Sequence, residues 1–268
     1  MTRQNNHKTT DGPWALILGG SQGLGLATAQ KLAKHGYHLI IAHRDRRSDM
    51  ESIEADFAAM EALGVRVLSF NWDVLQAERR RELIRQLQQQ LPNGQQIGVL
   101  VHSIAKGSLK PMRGGAAETL GTADFNITLN AMALSLYDWA KDLIHVNLFA
   151  PRARIVAFTS EGNTKAMAHY GAVSVAKVAL EALVRNMAVE FAPLGITANC
   201  IQAGVTPTRA FEMIPGSAAI KDNALKRNPH GRLTTPRDVA NVVYLLTLAE
   251  ADWITGTVIK VDGGESLR

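Results

Sequence analysis

The chain has 268 residues, of which 46% are apolar and 20% are charged, proportions that are ordinary for a water-soluble globular protein. This length supports one large core and is short for two. No run of about 18 apolar residues occurs, so no membrane-spanning helix is expected. A net charge of +5 is a mild bias that is compatible with an acidic partner but does not indicate nucleic acid.

The first residues and the single cysteine bear on the cellular compartment. Residues 1–13 are polar and lack an apolar stretch, so they predict a loose arm rather than a secretory signal. Cys200 is the only cysteine, which rules out an internal disulfide and favours a reducing, cytoplasmic location. Its strand-like neighbours predict a buried, inert thiol. The eight histidines show no ligand spacing, so no metal site is predicted.

Seven short apolar runs alternate with helical segments along the chain. The first run, "WALIL" at 14–18, leads through a glycine-rich turn into a helix predicted at 24–34. The other runs lie at 37–42, 65–70, 97–103, 154–160, 196–201 and 257–262. Apolar strands alternating with helices indicate a parallel sheet covered on both faces. The pattern, without internal repeats or linkers, predicts an α/β fold: a single doubly wound, Rossmann-type domain over 14–268.

The turn after the first strand, "LGGSQGLG" at 18–25, has the glycine spacing G-x3-G-x-G. Its glycines permit a tight turn and let a pyrophosphate approach the backbone, while the helix N-terminus offers free N–H groups to the phosphates. The turn therefore predicts dinucleotide binding, against the alternative of a glycine-rich turn with no ligand. Its cofactor-binding candidates are Gly19, Ser21, Gln22, Gly23, Leu24 and Gly25.

The residues after the second strand select between NADPH and NADH. His43 and Arg44 stand where NAD enzymes usually place an acidic residue for the ribose 2′-hydroxyl, and Arg46 and Arg47 follow. A guanidinium suits a 2′-phosphate through charge-assisted paired hydrogen bonds, which favours NADPH over NADH. Asp45 keeps an alternative open, because it becomes the ribose acid if the strand runs one or two residues longer. The segment can also be a solvated charged loop.

Several motifs resemble those of the short-chain dehydrogenase/reductase superfamily. They are the glycine turn, "NWDV" at 71–74 and "DGG" at 262–264, and the resemblance extends from about residue 13 to 268. Within this superfamily, Tyr-x6-Lys is the pattern of enoyl-acyl-carrier-protein reductases. The stretches at 174–193, 227–233 and 261–267 are similar to the NADPH-using FabL type, whereas 101–112 looks more like the FabI type. Leu18 departs from the threonine that usually precedes the first glycine.

The resemblance implies a role for each matching residue. Tyr170 and Lys177 form the Tyr-x6-Lys pair, in which the lysine binds the nicotinamide ribose and helps to lower the pKa of the tyrosine. Ser160 stands at the usual active-site serine, and Asn130 matches the asparagine that steadies a water chain behind the lysine. The implied cofactor contacts also include Asp73 and Val74 at the adenine, Ser103, Ile104 and Ala105 after the fourth strand, and Val205 and Thr208 at the carboxamide. Alternatively, Ser160 caps a strand end and Asn130 faces solvent.

The long spacing between Tyr170 and Lys177 has a chemical interpretation, although Val173 occupies the position four before the lysine. Hydride reaches an enoyl thioester at Cβ, and negative charge then develops on the thioester oxygen, three bonds farther along. Moving the tyrosine three residues back shifts its Cα by about 4.5 Å along a helix and keeps roughly the same face. Tyr170 is therefore the predicted donor, against the alternative of a common aromatic residue at a helix start.

The segment over about 206–232 is predicted to cover the substrate. Phe211, Met213 and Ile214 are candidates for lining an acyl channel. Lys221, Lys226 and Arg227 are candidate contacts for an acidic carrier protein, although the same pattern fits a solvated helix face. Residues 77–91 are predicted to form an exposed helix.

The predicted function is NADPH-dependent reduction of a trans-2-enoyl thioester carried on acyl carrier protein or coenzyme A, in fatty-acid or related acyl-chain synthesis. Two alternatives remain: an NADPH-dependent carbonyl reductase, and a non-catalytic NADPH-binding regulator. The helix predicted at 127–146 and the helix that contains Lys177 are apolar on more than one face, so they are buried or bury a partner. The superfamily pairs these helices across a two-fold axis, which predicts a homotetramer.

Overall fold

A computed structural model describes residues 12–92, 94–115 and 118–268. Of the predicted N-terminal arm, 1–13, residues 1–11 lie outside this described part. Seven parallel strands form one sheet in the order β3-β2-β1-β4-β5-β6-β7. The strands are β1 Trp14–Leu18, β2 His38–His43, β3 Val67–Asn71, β4 Ile97–His102, β5 Phe149–Ser160, β6 Thr197–Ala203 and β7 Val258–Val261. The predicted doubly wound α/β fold is confirmed.

Helices connect the strands and cover both faces of the sheet. They are α1 Gly23–Lys34, α2 Met50–Glu61, α3 Ala77–Gln90, α4 Thr122–Leu129, α5 Ser135–His145, α6 Gly171–Glu190, α7 Arg209–Glu212, α8 Ser217–Arg227 and α9 Pro236–Leu245. A π-helical turn, Asn130–Leu134, joins α4 to α5, so the helix predicted at 127–146 begins earlier and contains this irregularity. No helix in the described residues is long and apolar enough to cross a bilayer.

The sheet has a core on each face because successive strand side chains point to opposite sides. In β1, Trp14, Leu16 and Leu18 pack towards the α3, α5 and α6 side, whereas Ala15 and Ile17 pack towards α1, α2 and α9. All five residues are fully buried. This two-sided burial explains why continuous apolar runs identified the strands.

Two further elements, β5 and α3, differ from their sequence predictions. β5 begins at Phe149, five residues before the predicted start, because Phe149 already pairs with Ile97 before an irregular stretch brings Arg154 opposite Val99. The prediction that the helix at 77–91 is exposed is wrong for one face of α3, whose buried residues are Arg80, Leu83, Ile84 and Leu87. The spacing of these residues follows one face of a helix, and the Arg80 side chain pairs with carboxylates of α5 at 2.6 and 3.3 Å.

The outer faces of α4, α5 and α6 carry exposed apolar side chains. Ile127, Leu134, Tyr137, Val175 and Val178 are each 40–56% exposed. The stripe of α6 that contains Leu180, Val184 and Met187 faces the core of the same subunit instead. A cluster of exposed apolar side chains on neighbouring helices is typical of an interface, so we propose that a second copy of the chain covers this face.

Val178→Glu is expected to reduce the assembly to a smaller species, because a carboxylate would have to be desolvated at the proposed interface. Leu63→Glu is the matched control, since Leu63 has a similar exposure of 51% but precedes β3, away from this face. Light scattering at micromolar concentration measures the masses. A monomeric wild-type protein would contradict the proposal.

Candidate active site

A cavity of about 930 Å³ lies along the carboxyl ends of the strands. It extends from the glycine turn after β1 to Tyr170 before α6, and it passes the ends of β2, β4, β5 and β6. The strand order reverses between β1 and β4, and ligands of open parallel sheets bind at such a point. This cavity therefore lies where such a fold places a nucleotide.

The glycine turn is shaped by close backbone contacts. Gly19 has φ +85°, and a Cβ there would lie 2.5 Å from the Ser103 carbonyl oxygen. A Cβ on Gly25 would lie 2.0 Å from the Gly19 carbonyl oxygen. Gly25 does not line the cavity, so its role is to pack α1 against the turn rather than to contact a ligand. Gly23 begins α1 beside the cavity, so a phosphate can approach its N–H groups, and the turn fits a dinucleotide.

Asp45 is tied to the glycine turn. Its carboxylate accepts hydrogen bonds from Ser21 Oγ and Gln22 Nε2, both at 2.6 Å, and its Oδ2 lies 2.9 Å from Nδ1 of the buried His43. Strand β2 ends at His43, one residue beyond the predicted run at 37–42, so the length of the strand keeps Asp45 open as a ribose ligand. These donors occupy the Asp45 carboxylate and weaken the interpretation of Asp45 as the ribose acid.

Basic side chains surround the predicted adenosine end of the cavity. The exposed Arg44 donates to Asp73 at 3.0 Å, and Lys106 Nζ lies 4.0 Å from the same carboxylate. Arg46 also lines the cavity, and so does the buried Val74. The residues predicted to bind the adenine and those predicted to bind the 2′-phosphate therefore lie together. Arg44 is exposed, so it can leave the Asp73 carboxylate and pair with a phosphate instead.

The predicted nicotinamide end is built by loops after β4 and β6. Ser103, Ile104 and Ala105 line the cavity after β4. Val205 and Thr208 line it after β6, but the backbone N–H of Val205 already donates to Glu265 at 3.1 Å. The Val205 N–H is thus already occupied, and the contact of Val205 with the carboxamide stays a prediction.

Tyr170 and Ser160 are brought together from different elements. Ser160 ends β5 and Tyr170 is the residue before α6, and their hydroxyl oxygens are 3.3 Å apart. Tyr170 is only 8% exposed, within an apolar cluster that contains Met132, Val173 and Ala176. Both residues line the cavity, so their adjacent hydroxyls are two hydrogen-bonding groups suited to one substrate oxygen.

Lys177 lies two turns into α6 and is buried. Its Nζ donates to the Phe158 carbonyl oxygen at 2.7 Å, and burial lowers the pKa of Lys177 to about 8. The pKa of Tyr170 is raised by burial, while the hydrogen bond with Ser160 opposes this shift. The prediction that Lys177 lowers the pKa of Tyr170 is therefore not supported, and the phenol is neutral at ordinary pH.

Asn130 is the catalytic candidate that the structure does not bring to the cavity. Its side chain is exposed, it does not line the cavity, and it begins the π-helical turn after α4. The role of Asn130 behind Lys177 therefore stays a prediction, and the exposed side chain lies on the helix side that carries Ile127 and Leu134.

The predicted covering segment lines the outer part of the cavity. Phe211, Met213 and Ile214 all lie there, and Ile214 packs against the cluster around Tyr170. Arg227 is not available to a carrier protein, because its guanidinium pairs with Glu161 at 2.9 Å and Glu265 at 3.1 Å. Lys221 and Lys226 remain exposed.

Sequence reasoning missed several polar residues of the cavity. The buried His102 lies with Nε2 2.8 Å from Ser135 Oγ, and burial together with the charge of Lys177 lowers the pKa of His102 to about 3. Glu161, Thr206 and Glu265 also line the cavity. His102 lies at the end of a predicted strand, and this position could have marked it as a residue of the cavity. No local pattern marks Glu265, which tertiary packing brings to the cavity. No group of three or more possible metal ligands occurs in the described residues.

Comparison with known proteins identifies the class. A family profile described as Enoyl-(Acyl carrier protein) reductase matches residues 19–266. The chain therefore belongs to this family within the short-chain dehydrogenase/reductase superfamily, whose members are oxidoreductases that use NAD(P)H.

Individual relatives have different activities in their names. A tropinone reductase homologue from Arabidopsis thaliana is 29% identical over 259 residues, 97% of this chain and 95% of the relative. An enoyl-[acyl-carrier-protein] reductase [NADH] FabI from Aquifex aeolicus is 32% identical over 168 residues, 63% of this chain and 62% of the relative. The names of these two relatives differ in activity, so the reaction of this chain has to be argued from its site.

Solved structures show the same fold. A crystal structure of enoyl-[acyl-carrier-protein] reductase (NADH) from Aquifex aeolicus has a TM-score of 0.81 and 26% identity, and the match covers 97% of this chain and 98% of that one. A short chain dehydrogenase from Burkholderia cenocepacia in complex with NADP has a TM-score of 0.79 and 26% identity, with coverage of 96% and 99%.

Lys177→Met is expected to raise the free energy of unfolding at pH 7. Lowering the pKa of Lys177 from 10.5 to about 8 corresponds to about 3 kcal/mol of unfavourable burial, and the lost hydrogen bond offsets about 1 kcal/mol. Between pH 8 and 10.5 the wild-type unfolded state binds more protons than the folded state, so wild-type stability should rise with pH. Thermal unfolding across this window should show a smaller rise in the variant; a lower melting temperature throughout would contradict the prediction.

Proposed function

We propose that the protein reduces the carbon–carbon double bond of a trans-2-enoyl thioester with NADPH, as an enoyl-acyl-carrier-protein reductase of the FabL type. The observation that carries this proposal is the position of Tyr170. It lies one residue before α6, seven before Lys177, beside Ser160 and facing the cavity. Val173, four before the lysine, lines the same cavity with an apolar side chain that cannot donate a proton.

The position of Tyr170 fits the reduction of an enoyl group. An enoyl thioester in this cavity would accept at Cβ the hydride that a bound nicotinamide would supply, so negative charge would develop on the thioester oxygen. The Tyr170 phenol stays protonated because burial raises its pKa, so it can donate a hydrogen bond to that oxygen. Ser160 can share in this contact from 3.3 Å away. Lys177 holds the nicotinamide ribose, and Cα takes its proton by way of solvent.

NADPH is the proposed cofactor. Arg44 and Arg46 line the end of the cavity where the 2′-phosphate would lie, and a guanidinium binds phosphate through paired hydrogen bonds. The Asp45 carboxylate, which was the alternative ribose ligand, accepts hydrogen bonds from Ser21 and Gln22. NADH is the less favoured alternative.

The proposed substrate is an acyl thioester on acyl carrier protein or coenzyme A. Phe211, Met213 and Ile214 in the covering segment and Met132 and Met167 around Tyr170 offer apolar walls for an acyl chain. The flexible thioether side chains can adapt to chains of different shape. The working unit is proposed to be a cytoplasmic homotetramer built on the exposed faces of α4, α5 and α6.

Carbonyl reduction is the second candidate. The adjacent Ser160 and Tyr170 hydroxyls are also suited to a ketone oxygen, and the relative from Arabidopsis thaliana is named as a tropinone reductase homologue. A panel of enoyl and 3-ketoacyl thioesters distinguishes the two candidates by the rate of NADPH oxidation. Ready reduction of the ketoacyl thioesters with no reduction of the enoyl thioesters would refute the enoyl reductase proposal.

Tyr170→Phe should lower kcat for an enoyl thioester by about 10²- to 10⁴-fold, because it removes the donor to the developing oxyanion. NADPH affinity should change little, since the phenol does not hold the cofactor. Tyr244→Phe is the control, because Tyr244 lies on α9 and does not line the cavity. Normal turnover by Tyr170→Phe would remove Tyr170 from the mechanism.

Arg44→Asp should weaken NADPH much more than NADH, because it removes a 2′-phosphate partner and adds like-charge repulsion. The ratio of kcat/KM values for the two cofactors measures the preference. An unchanged ratio would mean that the 2′-phosphate is bound elsewhere, and Arg46 is then the next residue to replace.

A further inference from the structure

Arg209 lies over the glycine turn, although it belongs to the covering segment. Thr208 caps α7 by accepting a hydrogen bond from the Phe211 N–H at 3.2 Å, and Arg209 is the first residue of that helix. A Cβ on Gly23 would lie 3.3 Å from Thr208 Cγ2. The start of α7 is therefore in direct contact with the turn at which α1 begins.

The Arg209 guanidinium has an exchangeable partner. Its Nη1 lies 3.0 Å from Asp49 Oδ2, and the two side chains are 60% and 30% exposed. Asp49 directly precedes α2, so the ion pair joins the covering segment to the loop after β2 across the edge of the cavity. Exposed ion pairs of this kind contribute little to the stability of a fold, so Arg209 can leave Asp49 at small cost.

A second, smaller cavity places Arg209 beside the phosphate-binding turn. This cavity, of about 410 Å³, is lined by Ser21, Gln22 and Gly23 from the turn and by Asp49 and Arg209 opposite. Arg209 lines the large cavity as well. Among the described residues that line the small cavity, Arg209 is the only cation, and Asp49 and Asp56 are the acids. A phosphate bound at the turn would attract the Arg209 guanidinium, whereas the Asp49 carboxylate would repel it.

The helix terminus and the guanidinium offer different interactions to an anion. The N-terminus of α1 supplies N–H groups and a partial positive charge, whereas an arginine adds a full charge and two parallel hydrogen bonds. We propose that Arg209 leaves Asp49 on cofactor binding and pairs with the pyrophosphate of the dinucleotide. This assignment rests on the proposed function, because it assumes that the glycine turn binds NADPH. It makes the covering segment itself part of the cofactor site.

The exchange has an ordering effect on the proposed reaction. When the glycine turn holds the pyrophosphate, Arg209 is drawn towards the cofactor. Phe211, Met213 and Ile214 follow Arg209 in the same segment and move with it. The acyl-binding wall is thus completed after the dinucleotide has bound. Asp49 competes with the pyrophosphate for one guanidinium, so replacing Asp49 and replacing Arg209 should change cofactor affinity in opposite directions.

The test measures binding by calorimetry, without turnover. Arg209→Gln should weaken NADPH about tenfold, which corresponds to about 1.4 kcal/mol. Asp49→Asn should tighten NADPH about two- to threefold, because it frees the guanidinium and removes a repelling charge. Adenosine 2′-monophosphate, which keeps the adenine and the 2′-phosphate but lacks the pyrophosphate, should bind all variants equally. Arg232→Gln is the matched control, since Arg232 is 59% exposed, pairs with Asp238 at 2.7 Å and lines neither cavity.

Each other result would overturn the assignment. Weaker NADPH binding by both Arg209→Gln and Asp49→Asn would mean that the ion pair only holds the covering segment in place and that Arg209 does not contact the pyrophosphate. If Arg209→Gln weakened adenosine 2′-monophosphate as much as NADPH, Arg209 would contact the 2′-phosphate end of the cofactor instead. An unchanged NADPH affinity in either variant would exclude the exchange. A wild-type protein that fails to bind NADPH would instead overturn the proposed function, which separates the two failures. Melting temperatures without cofactor, expected to be equal, confirm that the variants are folded.

Discussion

The cavity depends on one close approach of the backbone to itself. At the turn between β1 and α1, a side chain on Gly25 would collide with the Gly19 carbonyl oxygen, and a side chain on Gly19 would collide with the backbone of Ser103. Because the closest of these contacts are to backbone atoms, α1 can begin at Gly23, near the carboxyl end of β1 and beside the cavity. The loops after β4 and β6 then close around the same point, and the nucleotide end of the site follows from this packing.

The reactive end depends on where α6 begins. Tyr170 precedes the first turn of α6 and Lys177 lies two turns further, so the helix fixes their separation along its axis. The burial that raises the pKa of Tyr170 also lowers that of Lys177, and both shifts favour the uncharged form. The site is therefore a poor source of an ionised phenol and a good source of a neutral hydrogen-bond donor, which suits stabilisation of an enolate oxygen.

Local patterns predicted the strands and the glycine turn, because two-sided burial and steric restriction act on neighbouring residues. They also placed Tyr170, Lys177 and Ser160 in one cavity with most of the cofactor candidates. They did not predict the exposure of Asn130 or the hydrogen bonds that occupy Asp45, which depend on residues distant in sequence. The two pKa shifts were missed for the same reason, since the desolvation of Tyr170 and Lys177 follows from packing. Arg227 looked like a solvated charge because both of its carboxylate partners lie more than thirty residues away.

The ion pairs of Arg227 have a mechanical consequence. This residue ends α8 and joins the covering segment to Glu161, next to Ser160, and to Glu265 near the C-terminus. Glu265 also accepts a hydrogen bond from Val205 at the opposite end of the segment. The segment is thus anchored at both ends, and its middle, around the 71%-exposed Met213, is the part left to move. An opening of the cavity on this side would therefore come from this middle stretch bowing outward, as a strap does between two fixed ends, while Ser160 and Tyr170 beneath it keep their places.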